Sequence, residues 1–454
     1  MDQVAQTERT PVQVPLATRP LGVWASMKTG QRNLLELIPE IATRQPMVSG
    51  RTVKRWHMVM DPGANRRILK EAVEDYPKSD VTKLILGPAI GESLFIAEGA
   101  HWLWQRRAAA PAFSARHVQA LAPVMTAAAE RSAARIAAQA GRAANLFIET
   151  IAATFEVITD VTLSGGRAFD RSAIHAAFDA YIASAARITL LDVIGAPMWV
   201  PRPSRLFSAP AMREMKAMAD RVIDERRAEG AHDVPDLLDL LLDGADPETG
   251  RKMTTTELRD NLLTFIVAGH ETTALTLAWS LYLCAFDPEV QHRARAEAKA
   301  ALGARAATVA DLAALPYCRQ IVDEALRLYP PAAFLSRTAR ADDTLCGREI
   351  RPGDTVMLPI YALHRNHALW PDPHRFDPDR FADAKAIDRF AYLPFGGGPR
   401  ICIGASFALQ EAVIILATLL ARFRFTPVPG RDPKPVLILT LRPEGGVWLN
   451  VEPD

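Results

Sequence analysis

A long apolar helical pattern runs from about Glu257 to Phe286, within a stretch from His101 to about Leu302 that reads as mostly helical. That stretch is rich in Ala, Leu, Arg and Glu, and its breaks fall at Gly141, Gly165–Gly166 and Gly230. Ahead of it, LLELIPEIA predicts a short helix, and MVSGRTVKRWHMVM predicts a hairpin of two β-leaning runs around Ser49-Gly50. Asp61 before Pro62 predicts the cap of a helix over Asn65 to Glu74, and a Gly-broken stretch follows from Gly87 to Gly99. Pro197, Pro201, Pro203 and Pro210 exclude a helix interior from Gly195 to Pro210; that segment reads equally as a lid or as a plain connector. After Tyr329 the pattern changes to short β-leaning pieces (TVMLPIYAL) and a proline-rich tract, LWPDPHRFDPDRF. A last helix is predicted from about Ile403 to Phe423, with strands in LILTLRP and GVWLNV. No repeat or linker divides the chain, so the expectation is a mainly α protein with a small β region. It would form one large helical domain over 1–454, with residues 1–21 as a loose arm.

Composition narrows this picture. Of 454 residues 49% are hydrophobic and 23% charged, enough for a sizeable core. Lys+Arg 53 against Asp+Glu 52 leaves a net charge of +1, so no global basic field points to nucleic acid or anionic lipid. The 4 cysteines (Cys284, Cys318, Cys346, Cys402) form no CxxC pair, which excludes a disulfide framework or zinc ribbon and suits a reducing compartment. The opening MDQVAQTERTPVQVPLATRP lacks a signal-peptide core, and the apolar-leaning run Thr272 to Phe286 is shorter than the ~18 residues of a spanning helix. The expectation is a soluble cytoplasmic protein without a membrane anchor.

The most informative segment is FGGGPRICIG, Phe395 to Gly404. Its glycines let the chain lie against a flat ligand. A helix begins directly after Cys402, aiming backbone N–H groups and a helix dipole at the sulfur, surroundings expected to favour thiolate. Arg400 adds a guanidinium suited to a carboxylate. Cys284, Cys318 and Cys346 read instead as small buried hydrophobes. One thiolate without a nearby His or Cys partner is wrong for zinc or an iron–sulfur cluster and right for a haem with a single sulfur ligand.

Here the chain resembles a known family. Phe395, Gly398, Cys402 and Gly404 meet a pattern that looks like the haem-binding loop of the cytochrome P-450 monooxygenases. The resemblance implies haem b (iron protoporphyrin IX) with Cys402 as iron ligand, Phe395 shielding the sulfur and Arg400 on a haem propionate. EALR places Glu324 and Arg327 on one helix face, and FDPDRF supplies Arg380; in the family these three form a bracing charge network. Asp379 in that motif stands where Glu is commoner. In AGHETT, Glu271 and Thr272 match the acid and alcohol of a proton relay over the oxygen-binding face. A glycine beside two threonines also loosens a helix and admits water. Trp102 and Arg106, one turn apart, and Arg337 in SRTA match further propionate contacts; His101 and Trp104 read as structural.

The implied reaction is insertion of one oxygen atom from O2 into a small hydrophobic substrate. Electrons would come from a separate protein, a ferredoxin with its ferredoxin reductase, docking where Arg400, Arg106 and Arg107 form a positive patch. Two alternatives stay open: a peroxide-driven peroxygenase on the same fold, and a non-catalytic haem-binding sensor. The expected substrate lining is Leu84 to Leu94, Leu262 to Val267, Ala332 to Leu335 and the C-terminal turn.

Overall fold

The computed structural model describes residues 10–453 apart from 163–208 and the single positions 53 and 234. The proline-rich segment and the Gly165–Gly166 break therefore lie outside the described residues, except that Ala209 and Pro210 open a helix, Ala209–Glu229.

The helix Thr255–Phe286 is the axis of the fold. Its start is a reciprocal cap: Thr254 Oγ1 accepts from the Glu257 N–H (3.3 Å), and a Glu257 carboxylate oxygen accepts from the Thr254 N–H (3.0 Å). Asp287 ends it and caps the next helix, Pro288–Leu302. Between the caps buried side chains occur on every face, as the all-round apolar pattern requires. Helix Leu146–Thr162 lies closest along it. Gly269 allows that approach, because a Cβ there would stand 3.0 Å from Ile158 Cδ1. Trp279 stacks on Tyr329 (4.0 Å between rings, 11°) and donates to the Leu441 carbonyl, tying the axis to the C-terminal strands.

The last helix, Ala405–Arg422, packs against Ala122–Ala137, Pro288–Leu302 and the axis. By length and composition it would suffice to cross a membrane, yet it is 67% buried inside the protein, so its apolar surface is already used by the core.

A four-stranded sheet stands beside the helices in the order Met47–Arg51, Arg55–Val59, Thr355–Leu358, Leu335–Thr338. Its middle pair is parallel, with Trp56 opposite Thr355. The C-terminal strands fall into two small sheets, Lys434–Leu437 with Leu441–Glu444, and Trp448–Pro453 between Phe423–Pro427 and Ala143–Asn145.

Several local expectations need correction. Ser49-Gly50 lies within the first strand of the hairpin, which pairs as far as Arg51 opposite Arg55, and Gly50 has no Cβ to meet the Trp56 ring at 2.2 Å. LLELIPEIA forms two 3₁₀ turns, Leu34–Leu37 and Glu40–Thr43, and a helix unmarked in the sequence, Val23–Arg32, precedes them. The helix capped by Asp61 begins at Pro62 and passes into a π turn, Arg67–Glu71. The Gly-broken stretch, Gly87 to Gly99, begins inside a helix, Asp80–Ile90, that continues past Pro88. Cys346 is exposed: with Gly347 it forms a two-residue hairpin tip in which both residues have positive φ. Cys284 and Cys318 are buried.

One carboxyl oxygen of the buried Glu411, on helix Ala405–Arg422, has no hydrogen-bond partner. Burial alone pushes this carboxyl well above the ordinary range. A folded value above the unfolded one means the contribution to stability is full below the ordinary Glu range, about 4.3, and declines as pH rises. Glu411→Gln removes that linkage. The variant is expected to melt at or above the wild-type temperature at pH 8, the difference shrinking toward pH 5; a deficit that grows with pH would contradict a neutral buried carboxyl.

Candidate active site

The Cys402 thiol opens into a cavity of about 1370 Å³ bounded by the axis helix, the sheet, the cysteine loop and the C-terminal turn. The loop is shaped by backbone contacts. The Cys402 N–H donates to the Phe395 carbonyl (2.9 Å), closing the turn. Gly398 has φ 67°, and a Cβ on it would lie 1.9 Å from the Leu69 carbonyl oxygen, so glycine is required there. Helix Ala405–Arg422 then starts at Gly404.

The sulfur's surroundings differ from expectation in sign. The Gly404 N–H and the Arg106 charge do favour thiolate; Cys402 is exposed to the cavity, yet desolvation by the protein enclosing it outweighs both and the thiol is pushed up. Thiolate at this position is therefore set by whatever binds the sulfur, since metal coordination displaces a thiol proton.

Among the cations that line the same cavity are Lys78, Arg106, Arg337 and Arg400. Arg400 donates to the Ala97 carbonyl (3.0 Å), pairs with Glu98, and lies over the Trp102 ring at 4.5 Å. Arg337 is buried and donates only to the Ser336 carbonyl beside it, while Arg106 has no carboxylate partner among the described residues. Burial, then the charge of Arg400, brings Arg337 down to about 10. Lys78 is driven well below its usual range by burial and by Arg337 and Arg400. Its chain position pairs with Arg337 across a β-bridge, its ammonium donates to the Phe95 carbonyl, and it lies 4.0 Å from the Phe95 ring centre. One carboxylate, Glu98, serves this cluster. A flat ligand bearing carboxylates beside a sulfur-binding metal meets both needs, so these residues fit a haem. Lys78 and Glu98 were missed in the sequence: neither belongs to a motif, and only folding brings them to Arg337 and Arg400.

Thr272 lines the cavity and Glu271 does not. The helix runs unbroken through both, with Thr272 Oγ1 donating to the Ala268 carbonyl (2.7 Å) and Thr273 Oγ1 to the Gly269 carbonyl (3.0 Å). Glu271 points to the C-terminal strands, where one carboxylate oxygen accepts from Arg442 Nε (2.6 Å) and Thr440 Oγ1 (2.5 Å). The acid and the alcohol, adjacent in sequence, thus project about 100° apart around the helix and face different surroundings.

Glu324, Arg327 and Arg380 come together. Glu324 and Arg327 have fully buried side chains joined by two bonds of 2.6 and 2.7 Å. Arg327 also donates to the carbonyls of His364, Pro373 and Arg375. Arg380 Nε stands 3.5 Å from Glu324, and its Nη2 donates to the Asp372 carbonyl. Asp379 bonds Arg293 on the surface at 2.8 and 3.0 Å. His364, held near 3 by burial and by the Arg327 charge and hence neutral, bonds the Arg327 carbonyl and accepts the Leu393 N–H (2.9 Å). The network thereby reaches the start of the cysteine loop.

The positive patch expected from Arg400, Arg106 and Arg107 does not exist as one surface. Arg400 and Arg106 face the cavity, and Arg107 is neutralised by Asp246 (2.6 and 2.9 Å) and Glu248 (2.8 Å). The apolar walls agree in part with expectation: Ile85, Leu86, Leu94, Phe265, Phe334, Leu335 and Leu437 to Leu439 line the cavity, whereas Leu262, Leu263 and Ala333 are packed into the core. Trp104 is buried and donates to His101 Nδ1 (3.2 Å).

Comparison with known proteins places this geometry. The sequence model described as Cytochrome P450 matches residues 46–450. A cyclooctat-9-en-7-ol 5-monooxygenase of Streptomyces melanosporofaciens is 36% identical over 75% of this chain and 74% of its own. Cytochrome P450 4F12 of Homo sapiens is 32% identical over 86% of this chain and 79% of its own. The crystal structure of the cytochrome P450DA heme domain superposes with a TM-score of 0.80 at 28% identity, covering 90% of each chain.

Arg327→Ala would leave the buried Glu324 without its two-bond partner, with Arg380 at 3.5 Å its remaining cationic partner, at a cost of about 3–5 kcal/mol. Arg293→Ala removes an exposed pair and should cost under about 1 kcal/mol. Chemical denaturation of both variants checks the contrast, and equal small losses would contradict a bracing role.

Proposed function

The chain belongs to the cytochrome P450 family of monooxygenases, and on that premise we propose that it inserts one oxygen atom from O2 into a small hydrophobic substrate, using electrons from a separate protein. The observation that carries this is a lone thiol and an unbalanced cation cluster facing one apolar cavity. Haem b is the proposed cofactor; bound there, it supplies dioxygen activation and oxygen transfer, with the cysteine sulfur donating electron density to the iron.

The chain's own residues supply the rest. Cys402 would hold the iron, with the Gly404 N–H and Arg106 stabilising negative sulfur. Lys78, Arg106, Arg337 and Arg400 would neutralise the cofactor's carboxylates, and Phe395 would screen the sulfur. Ile85, Phe265, Phe334 and Leu335 hold an apolar substrate and exclude water. Thr272 presents the hydroxyl on the cavity wall and passes protons there. Glu271 serves as the acid only by leaving Arg442 and Thr440, so proton entry runs past the C-terminal strands.

The electron donor is proposed to be an acidic ferredoxin with its reductase. The Gly398 backbone abuts Leu69 and Lys70. Exposed Lys70, Arg66 and Arg389, none in an ion pair with a carboxylate among the described residues, surround the segment leading into the cysteine loop beside exposed Ile401. A cytoplasmic setting is our reading of the four free cysteines.

Reduced, carbon monoxide-treated protein should show the absorption of a thiolate-ligated haem, and Cys402→Ala should lose it; an unaltered signature would end this reading. Thr272→Ala is expected to keep electron consumption while cutting product formed per electron several-fold, whereas unchanged coupling would remove Thr272 from proton delivery and favour a peroxide-driven reaction. Lys70→Glu should slow reduction by the ferredoxin several-fold at low salt, the difference closing as salt rises. Arg107→Gln, though less stable for loss of the Asp246 pair, should reduce at the wild-type rate, and stopped-flow mixing decides between the two sites.

A further inference from the structure

We propose that Glu98 is a positioning residue for the cofactor: a resident carboxylate behind the cavity wall that holds the cation cluster together and biases the bound haem toward its oxidised state. This rests on the haem reading above and adds to it a residue that does not touch the cofactor.

Glu98 occupies the N-cap position of helix Gly99–Ala109, which carries Trp102 and Arg106, and its carbonyl accepts the Trp102 N–H (3.2 Å). A carboxylate at an N-cap ordinarily turns back onto the free N–H groups of its own helix. Glu98 makes no such bond. One carboxylate oxygen accepts instead from the Lys78 backbone N–H (2.9 Å), with the Lys83 ammonium 3.8 Å away, and the other pairs with Arg400. The helix forgoes its cap, and the side chain joins three segments remote in the chain: the bridge at Lys78, the start of the Trp102 helix, and the cysteine loop at Arg400. Without Glu98, Arg400 would keep the Ala97 carbonyl (3.0 Å) and the Trp102 ring, but no carboxylate would offset its repulsion of Arg337 and Lys78.

Lys78, Arg106, Arg337 and Arg400 line the cavity and Glu98 does not. Haem b brings two carboxylates to these basic side chains, and Glu98 adds a third that the protein itself supplies. Ferric iron becomes ferrous by gaining one electron, so the oxidised form is the more positive, and a nearby negative charge favours it over the reduced form. The Glu98 side chain is 21% exposed and that of Arg400 10%, so solvent and salt screen this charge less than one on the open surface. A charged group outside the coordination sphere thereby tunes the metal without contacting it.

Spectroelectrochemical titration of the haem-loaded enzyme tests this, with haem transfer to apomyoglobin as the second reading. Glu98→Gln keeps the size of the side chain and an oxygen for the Lys78 N–H but removes the charge. At a fixed ambient potential its ratio of reduced to oxidised haem is expected to exceed that of wild type about 5-fold. Glu98→Asp keeps the charge but is too short to span Lys78 and Arg400. Its ratio should stay within about 2-fold of wild type, while haem is lost several-fold faster. Lys83→Met removes a cation that offsets Glu98, and should lower the ratio about 2-fold, a smaller effect because that ammonium is more exposed. It reads the same field should Glu98→Gln fail to fold. An unchanged ratio in Glu98→Gln, equal shifts in the Gln and Asp variants, haem retained by Glu98→Asp as in wild type, or a ratio that does not fall in Lys83→Met would each overturn the proposal. Failure of the haem reading is distinguishable, because wild type would then lack the carbon monoxide signature and offer no couple to titrate.

Discussion

Everything at this site depends on where one sulfur is held, and that position is maintained by a fully buried ion pair some distance along the chain. Arg327 and Glu324 have no exposed surface, and the remaining guanidinium donors go to the carbonyls of His364, Pro373 and Arg375. His364 carries the restraint to Leu393, and the Tyr392 hydroxyl donates to the Asp323 carbonyl, so a single helix, Pro316–Leu328, grips both ends of the segment that delivers the cysteine loop. A buried pair adds little net stability over apolar packing, but breaking it strands a charge. It therefore acts as a positional constraint: alternative placements of the 364–393 segment would leave unsatisfied donors in the core.

The same balance of burial and charge governs the cavity. Desolvation raises the Cys402 thiol and lowers Lys78, Arg337 and Arg400, each toward its uncharged form. A ligand combining a cationic metal with peripheral carboxylates reverses both penalties together. The protein thus stores an unfavourable charge arrangement that a single cofactor satisfies, a common relation between strained electrostatics and function.

The axis helix shows how adjacent residues acquire separate tasks. Thr272 faces the cavity and Glu271 faces Arg442, because successive helical positions differ by about 100°. The C-terminal strands fix that acid, carry Leu437 to Leu439 into the cavity wall, and receive the Trp279 indole. The partners of Glu271, the cavity lining and core packing are consequently coupled through one short strand pair.

The amino-acid sequence by itself determined the family, the mainly α architecture, the axis helix to within two residues of its start, and the cysteine loop. These are encoded locally: by a capping box, an all-round apolar pattern, and a run of glycines beside a cysteine. The family resemblance also pointed to Glu324, Arg327 and Arg380; the i,i+3 spacing of the first two is by itself shared by Glu248 and Arg251. Tertiary structure alone decided the rest. Lys78 and Glu98 join the cationic cluster, Arg107 is neutralised by Asp246, and Glu271 is turned to Arg442. The sign of the shift at Cys402 was likewise beyond a local reading. A charge's partner and its burial depend on segments hundreds of residues away, and desolvation, which prevails at the sulfur, is a property of the whole packed surround rather than of the residues next to it in the chain.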